Sequence, residues 1–121
     1  MKIISPKIHG LIDYVVVMSF LASPILLGLP HYAGIIAYLL GFVHLSLTML
    51  TKYQFGVFKV IPLPIHGWIE LIVSFALVII AFYLGSLEGD FAKFYYVGFA
   101  VAVFITWLLS DYNGNTTSKN V

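Results

Sequence analysis

Cysteine is absent from all 121 residues of this chain. That excludes disulfides, lipoprotein acylation, iron–sulfur clusters and metal sites built on thiolates. Charge is scarce as well: six lysines and five acidic residues make up 9% of the chain and leave a net charge of +1. No basic block or stripe suggests nucleic acid, so no nucleic-acid partner is expected. There is also no serine or cysteine nucleophile beside a base, no phosphate-binding loop and no polar portion large enough to hold a substrate. The sequence therefore leans away from enzymatic action.

What fills the chain is apolar. Hydrophobic residues account for 61% and the mean hydropathy is +1.03. Four apolar stretches stand out, roughly residues 8–29, 33–51, 65–87 and 94–110. Each approaches the ~20 residues that cross ~30 Å of hydrocarbon at a rise of about 1.5 Å per residue. Unpaired backbone groups are not tolerated in lipid, so stretches of this length are expected to be helices. The first stretch follows Lys2 and Lys7 like a signal sequence. It is too long for a signal core, however, and it carries Asp13 and Pro24, so it reads as a retained helix. The expected fold class is all-α, a membrane four-helix bundle in the lipid bilayer. Lysines at 2, 7, 52, 59 and 119 face one side and only Lys93 the other, which predicts that both termini are cytoplasmic.

The chain also repeats itself. His9-Gly10-Leu11-Ile12-Asp13 returns as His66-Gly67-Trp68-Ile69-Glu70, and an offset of 57 residues aligns residues 5–53 with 62–110 without a gap. Tyr38/Tyr95, Gly41/Gly98 and Phe42/Phe99 match at the same offset. Each unit is a helical hairpin that returns to its starting side. The two repeats are therefore expected to be parallel and related by a pseudo-two-fold axis along the membrane normal. Residues 52–64 form an aromatic linker closed by Pro62 and Pro64, with Tyr53, Phe55 and Phe58 expected at headgroup depth. Residues 113–121 form a polar tail expected to be flexible. Small or polar residues at 37, 41, 44 and 48, and at 98, 102 and 106, predict close helix contacts on the second and fourth helices. Trp68, Trp107, Tyr95, Tyr96 and Tyr112 read as interfacial anchors, Glu88 and Asp90 as solvated loop charges, and His31 as an exposed turn residue. Pro24 is expected to kink the first helix, with Ser23 satisfying a freed backbone group.

Residues four apart share a helix face, so His9 sits with Asp13 and His66 with Glu70. His44 is expected at a similar depth, which allows one cluster of three histidines and two carboxylates. Ionisable groups at membrane depth are expensive and mark sites. Three readings follow. His9, Asp13, His44, His66 and Glu70 are a credible ligand set for zinc, iron or manganese. A variant has haem held by His9 and His66, with His44 near and Gly10 and Gly67 leaving room for the macrocycle. The second reading is a structural polar network in an accessory subunit of a larger membrane complex. The third is a proton or ion path in a homo-oligomer, since histidine titrates near neutral pH.

Ser23-Pro24-Ile25-Leu26-Leu27-Gly28, followed after a short turn by a helix containing Gly41, resembles the SPW-repeat family of small bacterial membrane proteins. Isoleucine replaces the tryptophan of that motif, and the second repeat has Ile80-Ala81-Phe82 in its place. The resemblance implies hairpins of membrane helices in a bacterial inner membrane, and it implies no activity, cofactor or catalytic residue.

Overall fold

The structure, a computed structural model, describes residues 2–112; the polar tail at 113–121 lies outside the described residues. All regular structure among them is helical, in four helices and no strand: α1 (Pro6–Leu26), α2 (His31–Leu50), α3 (Leu63–Glu88) and α4 (Asp90–Leu109). All four are long and apolar enough to cross a membrane.

Local chemistry explains where each begins and ends. Ser5 caps α1 by accepting the Ile8 N–H at 3.3 Å, and Pro6 and Pro64 occupy first turns, where a missing N–H costs nothing. Pro24 lies inside α1, but the Ser23 hydroxyl bonds the Ser19 carbonyl, not the Phe20 carbonyl that Pro24 leaves unpaired. The α3–α4 connection is shorter than the sequence suggests. It is the single residue Gly89, at φ 101°, a backbone conformation that side chains disfavour. Glu88 is accordingly not a solvated loop charge. Its two carboxylate oxygens accept the Tyr32 and Ala33 N–H groups at 2.7 and 2.8 Å and cap α2, whose own N-cap, Pro30, has no side chain to do so. After α2, the linker doubles back so that Val57, Phe58, Val60 and Ile61 donate to the Met49 and Leu50 carbonyls. That return needs Gly56, where a Cβ would collide with the Thr51 carbonyl.

The helices pack chiefly as α1 with α2 and α3 with α4, and α2 meets α3 only sparsely. One core nevertheless joins all four, through Phe20, Ala37, Leu77 and Ala100 among others, with Phe20 stacked on Phe99 at 4.2 Å. Tyr96, expected at a membrane interface, is fully buried and donates to the Ala33 carbonyl at 2.6 Å. Outside the core the surface is apolar: Ile25, Phe42 and Ile79 are among many large exposed side chains, as suits lipid rather than water.

Burial follows a regular register. In α1 it falls on Pro6, His9, Gly10, Asp13, Val17 and Phe20, and in α3 at the same spacing on Leu63, His66, Gly67, Glu70, Ser74 and Leu77. In α2 and α4 the counterparts are Ala33 with Ala92, Ala37 with Tyr96 and Gly41 with Ala100. This offset is 59 (from 33 to 92), two more than the sequence alignment, because α3 has 26 residues to the 21 of α1 while its turn is the single residue 89 against residues 27–30. Gly98 and Ala102 consequently lie on the exposed side, and a Cβ at Gly98 would meet nothing within 4 Å. The helix contact expected there is made instead by Ala92, Tyr96, Ala100 and Val103.

Candidate metal centre

Helical spacing puts His9 above Asp13 on α1 and His66 above Glu70 on α3, and the core turns both faces toward each other. His9, Asp13, His66 and Glu70 are all buried, and each offers a ligand atom within 4.8 Å of all the others. His9 Nε2 lies 2.5 Å from Glu70 Oε1 and 3.4 Å from Asp13 Oδ2. His66 Nε2 contacts the same Glu70 oxygen and lies 3.2 Å from Asp13 Oδ2. Four atoms, two nitrogens and two oxygens, thus converge from two helices.

Two hydroxyls fix which nitrogen carries a proton. The Thr51 hydroxyl donates its hydrogen to the Leu47 carbonyl at 2.6 Å, so toward His66 Nδ1, 2.7 Å away, it acts as acceptor. Ser110 does the same, donating to the Thr106 carbonyl and accepting from His9 Nδ1 at 2.7 Å. Both imidazoles therefore bear hydrogen on Nδ1 and turn Nε2 inward. Against Glu70 and Asp13, Nε2 donates, so each ring in the ion-free cluster carries hydrogen on both nitrogens. Giving up the Nε2 hydrogen would turn a lone pair to the centre, and hydrogen bonding of the far nitrogen is how protein sites orient metal-binding histidines. Thr51 and Ser110 cap the C-terminal ends of α2 and α4. Each histidine is thus held by a helix of the other hairpin.

Asp13 is held on every side. Tyr53 donates its phenol hydrogen to Oδ2 at 2.8 Å, and His44 Nε2 lies 3.3 Å from Oδ1. His44 is therefore not among the four converging atoms; it reaches them only through Asp13. Tyr53 is turned inward, away from the surface. The linker carries it back over the cluster, where it is 5% exposed with its ring 5.6 Å from that of His66. Tyr112 likewise packs inward, its ring 5.3 Å from that of His9. Burial first and the Asp13 carboxylate next push the Tyr53 phenol above its ordinary range. Burial, then Glu70 and Asp13, does the same to Tyr112.

The glycines of the two motifs serve these aromatic covers. A Cβ on Gly10 would stand 3.0 Å from the Phe55 ring, and one on Gly67 3.0 Å from the Tyr112 ring. The space that a macrocycle would need is occupied, and the His9 and His66 rings stand edge to face, 5.2 Å apart, with carboxylates between them. Haem does not fit this site. A small ion does: for metal bonds of about 2.0 Å, ligands at the corners of a tetrahedron stand about 3.3 Å apart. The two Asp13 contacts already have that spacing. Glu70 lies closer and would have to draw back.

The residues that sequence reasoning missed are Thr51, Ser110 and the inward roles of Tyr53 and Tyr112. A hydroxyl at the last turn of α2 and of α4, each followed within two residues by tyrosine, is the signal that could have found them. Comparison with family models, with curated proteins and with solved structures finds no match to this chain.

Proposed function

We propose that this chain is a membrane protein that holds a divalent transition-metal ion, zinc, iron or manganese, between two helical hairpins, with His9, Asp13, His66 and Glu70 as ligands. One observation carries the reading: four ligand atoms of suitable type converge, and both histidines have Nδ1 committed to hydroxyl acceptors. Charge supports it. Two carboxylates buried in apolar surroundings need two compensating positive charges. A divalent ion with neutral imidazoles supplies them at one point, in place of the two imidazolium charges that balance the ion-free cluster. His44 and Tyr53 are positioning residues that steady Asp13.

The same burial spacing in α1 and α3 supports a duplicated, parallel pair of hairpins forming the bundle. The lysine distribution supports termini on the cytoplasmic face, and the Ser23-Pro24 resemblance supports a bacterial inner membrane. The centre then lies at the cytoplasmic end.

The test is elemental analysis and zinc titration of the full-length protein in lipid nanodiscs. About one equivalent of metal is expected in the wild type, with His9→Ala and His66→Ala both losing it while remaining helical. A folded protein that neither carries nor takes up zinc, iron or manganese would overturn the reading and leave the cluster a packing network, the role of an accessory or structural subunit.

A further inference from the structure

Where α2 and α3 stand apart, a cavity of about 50 Å³ lies beside the candidate metal centre. Its walls are apolar and include Leu47, Val73, Leu77 and Val103, so all but two of the residues around it offer no polar side chain. The two exceptions are Glu70, which belongs to the centre, and His44, which holds the outer oxygen of Asp13. Val43 also lines the cavity and is 64% exposed on the outer face of α2. The space therefore borders the surface that meets lipid at one side and the metal ligands at the other.

Size and polarity decide what it can take. A water molecule needs roughly 10–15 Å³ of such space, so this one admits a molecule of only a few atoms. A water chain would need two to four polar partners for each water, whereas His44 and Glu70 are already engaged with Asp13 and with His9 and His66. Apolar cavities of this kind stay dry and accept apolar gases. Such molecules also concentrate in hydrocarbon, because transfer out of water is favourable.

We propose that this cavity is a binding site for a small, uncharged, apolar molecule of the size of dioxygen, drawn sideways from the bilayer and held against the Glu70 edge of the metal centre. The site deepens the metal reading and rests on it for any chemistry; the cavity itself does not. It gives the centre a ligand class that reaches it through lipid, not through water.

Xenon is the probe, with methyl NMR of the full-length protein in nanodiscs under increasing gas pressure. The Leu77 and Val103 methyl signals are expected to shift and saturate, whereas exposed methyls such as those of Ile79 follow pressure linearly. Val73→Phe fills the space and should abolish saturation. Leu47→Ala enlarges it and should saturate at lower pressure, so the inference is still tested if the first variant does not fold. Linear shifts at Leu77 and Val103, or a Leu47→Ala curve identical to the wild type, would overturn the proposal. Manganese titration on the same samples reads the metal centre separately, by broadening of the Val73 and Leu47 methyls. Broadening without xenon saturation retains the metal and sinks the cavity site. Saturation without manganese binding keeps the apolar site and removes the metal.

Discussion

At the scale of single residues, the proposed centre would depend on atoms outside its four ligands. Thr51→Val and Ser110→Ala each remove the acceptor for a buried imidazole N–H. Loss of such an outer partner typically weakens metal affinity by about 10–100-fold. We expect that loss in competitive zinc titrations of both variants, with helix content unchanged; affinities equal to the wild type would show that the tautomer is not set by these hydroxyls. The covering tyrosines yield a pH dependence. Their phenols titrate higher in the folded protein than the ordinary value of about 10. Above that value the unfolded chain has released protons that the folded one still holds, so stability is full below it and falls as pH rises past it. Denaturation midpoints should therefore drop on the alkaline side, and Tyr53→Phe and Tyr112→Phe should flatten the fall. The motif pairs were legible at this scale because helical spacing alone sets them. Tyr53 was not, because its place depends on a linker that folds back.

At the scale of elements, two glycines that look alike in sequence should behave in opposite ways. Gly41 is buried, and a Cβ there would stand 2.6 Å from Leu21 Cδ2 and 2.9 Å from its Cγ. Gly41→Ala should cost ~1–3 kcal/mol, the usual range for overpacking. Gly98→Ala meets nothing and should be neutral or stabilise α4 by up to ~1 kcal/mol through helix propensity. Thermal unfolding of the two variants in one nanodisc preparation checks this, and equal shifts would contradict the two-residue change of register between α2 and α4. Glu88 closes the opposite end of the molecule from the centre. Glu88→Ala leaves the first N–H groups of α2 without their carboxylate and should lower stability by about 1–2 kcal/mol. Metal affinity should not change. A sequence reader sees Glu88 beside a turn and assigns it to water, since its partners lie on another helix far along the chain.

At the scale of the whole molecule, the two hairpins meet with little backbone contact between α2 and α3. Polar ties join them at both ends: Glu88 and Tyr96 reach α2 at one, and the His and carboxylate cluster crosses between them at the other. A bound ion would therefore act as a clasp. Anything that binds only the folded state stabilises it by mass action, about 2.7 kcal/mol at a hundredfold excess over Kd. Zinc should raise the unfolding midpoint of the wild type and a chelator should lower it. The gain should shrink as pH falls, because protons compete for the imidazoles. Glu70→Gln, which removes one ligand charge, should lose most of the zinc effect; a midpoint indifferent to zinc and chelator would remove the clasp.

The sequence by itself determined the four helices and the facing pairs His9/Asp13 and His66/Glu70. Apolar run length and the 3.6-residue period are local properties and need no knowledge of neighbours. Tertiary structure alone decided the rest: that Asp13 and Glu70 share one centre, that His44 stands a step outside it, and that Thr51 and Ser110 aim the imidazoles. It also decided that Gly98 faces outward and that glycines beside the histidines receive aromatic rings. These depend on how far each helix runs before its turn and on where a linker returns. A net shift of two residues, the balance of a longer helix and a shorter turn, rotates a face by about half a turn at ~3.6 residues per turn, and no pattern within one helix records that rotation.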